Sequence, residues 1–294
     1  MKEPVFSGVC TALVTPFENG EINYPMVEKL LQRQICAGVD AVVLAGTTGE
    51  SPTLSDEEKL KLFCTAKEYA GKTCKIIAGT GSNSTVHSVA LSKAAERCGV
   101  DALLVVSPYY NKATPDGLYA HYLAIARSVN IPVILYNVPS RTGVDIPVSV
   151  YARLAAIENI VGVKEASSDI TKVGKIRAAC GDRMYIWSGN DDMIVPVMSL
   201  GGKGVISVLS NVLPEETVAM CRAALEGDYK KASALQCGLM ELVGLLFCEV
   251  NPIPVKTAMK EIGFDCGGCR MPLSPMSTEN YKKLKTYLQE IMPL

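Results

Sequence analysis

One lysine in this chain lies where an amine can act as a nucleophile. Lys164 belongs to the apolar run Ile160–Ala166, whose β-branched residues predict a strand that is buried on both faces. Because side chains alternate along a strand, Lys164 shares its face with Gly162, which leaves space around the amine and little water. Desolvation disfavours the ammonium form, so we expect a free amine that can attack a carbonyl carbon. The alternative is a lysine at a strand end whose head reaches solvent.

The strands that must position this lysine recur regularly along the chain and alternate with segments of helical period. The strand-like runs are Gly8–Phe17, Ala41–Gly46, Lys75–Gly81, Ala102–Tyr110, Pro132–Pro139, Ile160–Ala166, Tyr185–Asp191 and Gly204–Ser210. Eight strands that alternate with helices predict an α/β fold, a (β/α)8 TIM barrel. A doubly wound open sheet is the rival, but it usually has fewer strands, and its glycine-rich phosphate fingerprint after the first strand is missing.

Further helical segments follow the eighth strand. They are Pro214–Leu225, Tyr229–Phe247, Pro254–Ile262 and Ser277–Ile291. Because the eight strands are already assigned, we expect a catalytic barrel in residues 1–225 and a C-terminal helical appendage in residues 226–294.

Functional side chains of such a barrel gather at the carboxyl ends of the strands. The predicted ends carry Gly46–Ser51, Ser107–Asn111, Tyr136–Gly143, Lys164 and Ser188–Asp192. A lysine amine, tyrosine and threonine hydroxyls, glycine-flanked amides and one arginine therefore converge on one opening. These groups suit a reaction in which the amine forms an imine with a ketone, hydroxyls move protons, and amides with hydroxyls hold a carboxylate. The resulting enamine is a carbon nucleophile.

Several of these residues have an ordinary structural interpretation when each is taken alone. Tyr136 fits a packed core aromatic, and Arg141 fits a surface ion pair. Glu165 points to the opposite face of its strand and is expected to be structural. Asp191 and Asp192 look like an N-cap for the next helix rather than a metal pair.

Metal and organic cofactors are not expected. Metal-dependent aldol chemistry needs a cluster of ligands, and the two histidines, His87 and His121, fall in predicted helices as surface or packing residues. The glycine-rich segment Gly201–Gly204 resembles a phosphate loop, but it precedes a strand and so lies at the wrong end of the barrel.

Composition limits the class of protein. The chain has 294 residues, of which 48% are hydrophobic and 20% charged, which is enough for a large core and too apolar for disorder. The balance of 29 basic and 30 acidic residues gives no electrostatic reason to expect nucleic acid or an anionic membrane. No apolar run approaches the roughly 20 residues of a membrane span, and the start, Met1–Pro4, lacks a signal-peptide core.

The cysteines indicate a reducing compartment. Their number, 11, is odd, and most lie in apolar or helical surroundings, which predicts free thiols in a cytoplasmic protein. These are Cys10, Cys36, Cys64, Cys98, Cys180, Cys221 and Cys248. Cys266 and Cys269 have metal or redox spacing, but no second such pair or nearby histidine accompanies them.

Five motifs resemble those of the dihydrodipicolinate synthase family. They are Gly46–Glu50, Tyr109–Asn111, Tyr136–Gly143, Val163–Glu165 and Asn251–Lys256. The resemblance runs from about Gly8 to the last helix, within the wider group of pyruvate-dependent class I aldolases that includes N-acetylneuraminate lyase. The paired threonines between glycines and the arginine of Pro139–Gly143 separate the synthases from the rest.

The resemblance implies a role for each site residue. Lys164 forms a Schiff base with pyruvate, and Tyr136 moves protons. Thr47 links Tyr136 to Tyr110, which the family supplies from the neighbouring subunit. Thr48 holds the pyruvate carboxylate.

The resemblance also implies the second substrate and the assembly. Arg141 holds the carboxylate of L-aspartate 4-semialdehyde, a role that guanidinium geometry favours independently. Gly189 and Ile206 line the pocket through backbone atoms. The product, 4-hydroxy-tetrahydrodipicolinate, feeds diaminopimelate and lysine synthesis. The implied enzyme uses no cofactor and is a homotetramer of two tight dimers.

Two alternatives remain open from the sequence. A related pyruvate aldolase would act on a sugar acid, which the presence of Arg141 disfavours. A barrel that only binds pyruvate-like ligands, as a sensor or scaffold, would need no proton relay of the kind that Tyr136, Thr47 and Tyr110 form.

The resemblance bears on regulation as well. Family members that free lysine inhibits bind it at the dimer interface, and Ser51, Asn83 and Tyr109 match that pocket. The histidine positions of inhibited members are Asp56 and Lys59 in this chain, and the position of their glutamate is His87. We therefore expect weak inhibition by lysine or none.

Overall fold

Eight parallel strands close into a barrel in the computed structural model, which describes residues 2–71 and 73–292. The strands are β1 (Gly8–Ala12), β2 (Ala41–Leu44), β3 (Lys75–Gly79), β4 (Ala102–Val106), β5 (Val133–Asn137), β6 (Ile160–Glu165), β7 (Tyr185–Ser188) and β8 (Gly204–Ser207). Each strand pairs with its neighbour in sequence, and β8 pairs with β1. The predicted (β/α)8 barrel is confirmed.

Helices cover the outside of the barrel, as expected for parallel strands that are buried on both faces. They are α1 (Tyr24–Cys36), α2 (Asp56–Ala70), α3 (Thr85–Arg97), α4 (Pro115–Arg127), α5 (Pro139–Thr142), α6 (Val148–Leu154), α7 (Ile170–Cys180), α8 (Ile194–Ser199), α9 (Pro214–Leu225), α10 (Tyr229–Leu246), α11 (Ile253–Glu261) and α12 (Thr278–Ile291). In the described residues, no helix is long and apolar enough to cross a membrane.

The strands are shorter than the apolar runs that predict them. The first run was expected to reach Phe17, but β1 ends at Ala12, and Phe17–Glu18 instead forms a small antiparallel hairpin with Glu21–Ile22. Apolar residues continue past the strand ends because the loops above the barrel are themselves covered. Phe17, for example, is 7% exposed and lies beneath the charged head groups of Lys256 and Arg270.

The barrel interior is filled by side chains that include a stacked aromatic pair. Phe6 lies on Trp187 with 5.0 Å between the ring centroids. Gly162 makes room for this indole, since a Cβ there would lie 2.6 Å from the Trp187 ring and 2.5 Å from the Tyr185 carbonyl oxygen. The expectation that Gly162 leaves space around the lysine amine is therefore wrong, because the indole fills that space.

The C-terminal region packs directly on the loop that follows β2. Lys256 of α11 donates a hydrogen bond to Glu50 at 2.9 Å, and both side chains are buried, at 3% and 0% exposure. The same ammonium donates to the carbonyl oxygen of Thr15 at 3.0 Å. The division into residues 1–225 and 226–294 stays a prediction.

One cysteine prediction is wrong. Cys64 of α2 and Cys98, which follows α3, form a disulfide rather than two free thiols. The two helices are neighbours, and the Cα atoms are 4.8 Å apart, which is within the range that a disulfide spans. Sequence separation gave no indication of this contact between two helices.

Candidate active site

Lys164 lies near the carboxyl end of β6 and is 5% exposed. It pairs in register with Tyr136 of β5, which places both side chains on one face of the sheet. The Lys164 Nζ atom is 4.5 Å from the centroid of the Tyr136 ring. The lysine is therefore buried, as the sequence predicted, and its amine lies over the face of the Tyr136 ring.

Gly189 leaves the space that the lysine needs. A Cβ at this position would lie 3.2 Å from Lys164 Cε and 2.6 Å from the Ala166 Cβ. Its backbone N–H donates to the carbonyl oxygen of Glu165 at 2.7 Å, which fixes it beside the end of β6. Ile206, the other predicted backbone contact, is fully buried on β8 in the barrel interior.

A cavity of about 610 Å³ opens at the carboxyl ends of the strands. Thr47, Tyr136 and Arg141 all line it, so three predicted site residues meet there. Ser51, Asp56, Lys59, Asn83, His87 and Tyr109 also line this cavity. Thr47, Tyr136 and Arg141 and the residues that are expected to form a lysine pocket therefore line one continuous cavity.

Thr48 belongs to the loop that follows β2 and is 2% exposed. Its hydroxyl oxygen accepts a hydrogen bond from Asn251 Nδ2 at 3.0 Å. Gly49 is required beside it, since a Cβ there would lie 3.0 Å from the Ala45 backbone nitrogen. Glu50 then turns the chain through the left-handed region, with a φ of 57°, and is held by Lys256.

Arg141 lies on the single turn of helix α5, which Pro139 begins and Gly143 ends with a φ of 70°. Its side chain is exposed to the cavity. Across residues 2–71 and 73–292, no carboxylate lies within ion-pair distance of its guanidinium, so the surface ion pair that the sequence allowed is not formed. The group is free to bind an anionic ligand.

Tyr110 does not line the cavity of its own chain. It is 85% exposed and has a φ of 73°, a conformation that is uncommon for a bulky residue. The predicted link from Thr47 to Tyr110 is therefore not made within one chain.

The carboxylates near the site are structural. Glu165 accepts hydrogen bonds from Asn137 Nδ2 at 2.9 Å and from the Tyr151 hydroxyl at 3.3 Å. These bonds tie the carboxyl end of β6 to β5 and to α6, which is the structural role that the sequence predicts. Burial is the main cause that raises the pKa of the Tyr151 hydroxyl, and the adjoining Glu165 carboxylate adds to it.

The expected N-cap at Asp191 is wrong. Its carboxylate accepts from the backbone N–H groups of Val208 and Leu209, both at 2.9 Å, and so fixes the turn after β8. A short 3₁₀ turn, Asp191–Met193, precedes α8 and directs this side chain into the interior, where burial raises its pKa. Asp192 is exposed and makes no cap either.

No three potential ligands of the types His, Cys, Asp and Glu cluster in the part of the chain that the structure describes. His121 is buried and bonds to the Thr85 hydroxyl at 2.9 Å, whereas His87 pairs with Asp56 at 2.8 Å. Both histidines are thus packing or surface residues, as predicted.

Asn251 and Lys256 were missed as residues that contact the site. The sequence offered a signal, since both belong to the motif Asn251–Lys256. Periodicity places that motif at the start of a helix far from the β2 loop in sequence, and only the fold brings the two together.

The profile of the Dihydrodipicolinate synthetase family matches residues 5–291. The chain is 46% identical over 290 residues to a 4-hydroxy-tetrahydrodipicolinate synthase of Acetivibrio thermocellus, and the match covers 99% of each protein. The solved dihydrodipicolinate synthase of Aquifex aeolicus is 44% identical, with a TM-score of 0.96 over 97% of this chain and 98% of that one. The enzyme of Cyanidioschyzon merolae, solved with lysine bound, is 37% identical, with a TM-score of 0.94 over 97% and 98%. This chain belongs to the dihydrodipicolinate synthetase family.

Proposed function

We propose that this protein condenses pyruvate with L-aspartate 4-semialdehyde to give 4-hydroxy-tetrahydrodipicolinate, for the synthesis of diaminopimelate and lysine. The observation that carries the proposal is the buried pair of Lys164 and Tyr136 beside a cavity that Arg141 lines. An amine next to a phenol suits imine chemistry on a keto acid, and a free guanidinium suits a second carboxylate. Membership of the family supports the same reaction.

The first half of the reaction forms the nucleophile. The Lys164 amine adds to the ketone carbon of pyruvate, the ketone oxygen leaves as water, and a protonated imine remains. Loss of a proton from the pyruvate methyl group then gives an enamine. Tyr136 is assigned as the proton carrier from its motif, Tyr136–Gly143, and its ring centroid lies 4.5 Å from the reacting nitrogen. The electron-rich face of that ring also favours the positive charge of the imine.

The second half forms and closes the ring. The enamine carbon attacks the aldehyde carbon of the semialdehyde, and the aldehyde oxygen takes up a proton. The substrate amino group then attacks the imine carbon, the bond from that carbon to Lys164 breaks, and the amine is regenerated. Arg141 binds the semialdehyde carboxylate through two parallel N–H donors.

The remaining residues bind pyruvate and move protons. Thr48 donates to the pyruvate carboxylate, and the backbones of Gly189 and Ile206 line the site. Thr47 passes protons between Tyr136 and a Tyr110 hydroxyl from a second copy of the chain. The 85% exposure of Tyr110 supports this arrangement, because an exposed tyrosine in a strained conformation is expected where a partner covers it. We propose a cytoplasmic homotetramer of two such dimers.

A direct assay tests the activity. Purified protein is supplied with pyruvate and the semialdehyde, and the cyclic product is followed by mass spectrometry, with cleavage of N-acetylneuraminate measured in parallel. Lys164→Ala should abolish product formation, whereas Lys175→Ala, a change of an exposed lysine on α7, should leave it unchanged. Faster cleavage of the sugar acid than condensation would contradict the proposal.

A further inference from the structure

Asn251 of the C-terminal region contacts Thr48 in the loop that follows β2. It lies in the turn between α10 and α11, and its Nδ2 atom donates to the Thr48 hydroxyl oxygen at 3.0 Å. Both residues are buried, at 5% and 2% exposure. In the described part of the chain, the Thr48 hydroxyl makes this one hydrogen bond, and the Asn251 Oδ1 atom has no hydrogen-bond partner.

The direction of this bond determines what Thr48 can do. A hydroxyl has one proton and two lone pairs, whereas an amide N–H can only donate. Because Asn251 donates, it occupies a lone pair of Thr48 and leaves the hydroxyl proton free. A free proton is what a threonine needs in order to bind a carboxylate.

We propose that Asn251 is a positioning residue that fixes the Thr48 hydroxyl as a donor to the pyruvate carboxylate. The inference rests on the proposed function, and in particular on Thr48 as a pyruvate ligand. The C-terminal region then contributes to substrate binding from outside the barrel that residues 1–225 were predicted to form.

The surrounding contacts separate this role from a purely structural one. Glu50, two residues after Thr48, accepts from Lys256 at 2.9 Å and from the backbone N–H of Arg270 at 2.8 Å. These bonds anchor the loop without Asn251. The Asn251 side chain itself makes one hydrogen bond and leaves a buried acceptor unsatisfied, which is a poor contribution to stability.

Asn251→Asp reverses the bond at almost constant shape. A carboxylate can only accept, so the Thr48 proton would turn towards residue 251, and a negative charge would face the substrate carboxylate. The pyruvate concentration for half-maximal borohydride trapping on Lys164 should rise by about a hundredfold or more, as should the KM for pyruvate. The KM for the semialdehyde and the thermal unfolding midpoint should change little. Asn130→Asp is the matched control, because Asn130 is exposed at the opposite end of the barrel.

A double-mutant cycle gives a second, independent readout. Asn251→Ala should raise the half-saturating pyruvate concentration by about tenfold in the native background. In a Thr48→Val background it should raise it no further, because the hydroxyl that it orients is gone. Independent, multiplying effects of the two changes would overturn the inference.

The outcomes also separate this inference from the proposed function. If the unmodified protein forms no trapped adduct with pyruvate, the proposed function fails and this inference fails with it. If the adduct forms and Asn251→Asp leaves pyruvate half-saturation unchanged, only the inference is refuted. If Asn251→Asp does not fold, the cycle with Thr48→Val decides.

Discussion

Free L-lysine should inhibit this enzyme weakly or not at all, although a relative has been solved with lysine bound. The cavity at the carboxyl ends of the strands retains Ser51, Asn83 and Tyr109, which match the expected lysine pocket. Among the lining residues that the structure describes, no unpaired carboxylate is available for the cationic ends of a lysine ligand. Asp56 is a carboxylate in this wall, but His87 Nε2 lies 2.8 Å from it and Lys59 Nζ lies 3.9 Å from it.

The size of the effect follows from these charges. Replacement of the expected glutamate by His87 removes one charge-assisted hydrogen bond, which contributes about 1.5–3 kcal/mol. Lys59 is 7% exposed, and an ammonium of the ligand within roughly 6 Å of its charge adds a repulsion of up to about 3 kcal/mol, which Asp56 partly offsets. Burial lowers the pKa of Lys59, which reduces that repulsion further. A net loss of about 3 kcal/mol weakens binding by roughly a hundredfold.

Initial rates measured against lysine concentration test this reasoning. We expect half-inhibition at or above millimolar lysine for the unmodified enzyme. The triple change Asp56→His, Lys59→His and His87→Glu should bring half-inhibition below a millimolar, whereas Lys175→Ala should have no effect. Half-inhibition well below a millimolar in the unmodified enzyme would refute the charge argument.

Four further outcomes follow from the site and its surroundings. Arg141→Ala should raise the KM for the semialdehyde by roughly one to two powers of ten and leave imine formation with pyruvate intact, as measured by borohydride trapping. An equal rise in the KM values of both substrates would mean that Arg141 supports the structure of its loop instead. Tyr110→Phe and Lys164→Ala should each be nearly inactive alone. Activity should return when the two variants are unfolded together and refolded as mixed dimers, because one of the two sites then has both native residues. No activity would return if Tyr110 served its own chain. A chelator should leave the rate unchanged, because an imine route needs no metal; a loss that added metal restores would contradict this. Burial lowers the pKa of His121 to about 4, so the unfolded chain takes up a proton near pH 6.5 and the folded chain only near pH 4. The free energy of unfolding should therefore fall by up to about 3 kcal/mol as the pH drops through this range. His121→Gln should remove this pH-dependent loss, as measured by denaturant titrations at pH 7 and pH 4.5.

The barrel could be predicted because most residues of each strand are apolar and the strands recur regularly along the chain. Ile160–Glu165 is buried along its whole length, which is the pattern of a strand with sheet neighbours on both sides and helices outside. The carboxyl ends of those strands then locate Lys164 and Tyr136, whose register pairing the structure shows.

Contacts between distant segments could not be predicted in the same way. The bond from Asn251 to Thr48 spans 203 positions of sequence, and the disulfide between Cys64 and Cys98 joins two neighbouring helices. Local periodicity contains no information about such pairs. The inward orientation of the Asp191 side chain was also missed. An aspartate before a helix usually caps it, but here a 3₁₀ turn lies between Asp191 and the helix.

The proposed reaction depends on Lys164, which carries pyruvate as an imine. The most direct measurement is reduction with borohydride in the presence of pyruvate, followed by peptide mapping by mass spectrometry. We expect one stable adduct per chain, located on Lys164, and no adduct in Lys164→Ala. An adduct on another lysine, or full condensation activity without any adduct, would contradict it.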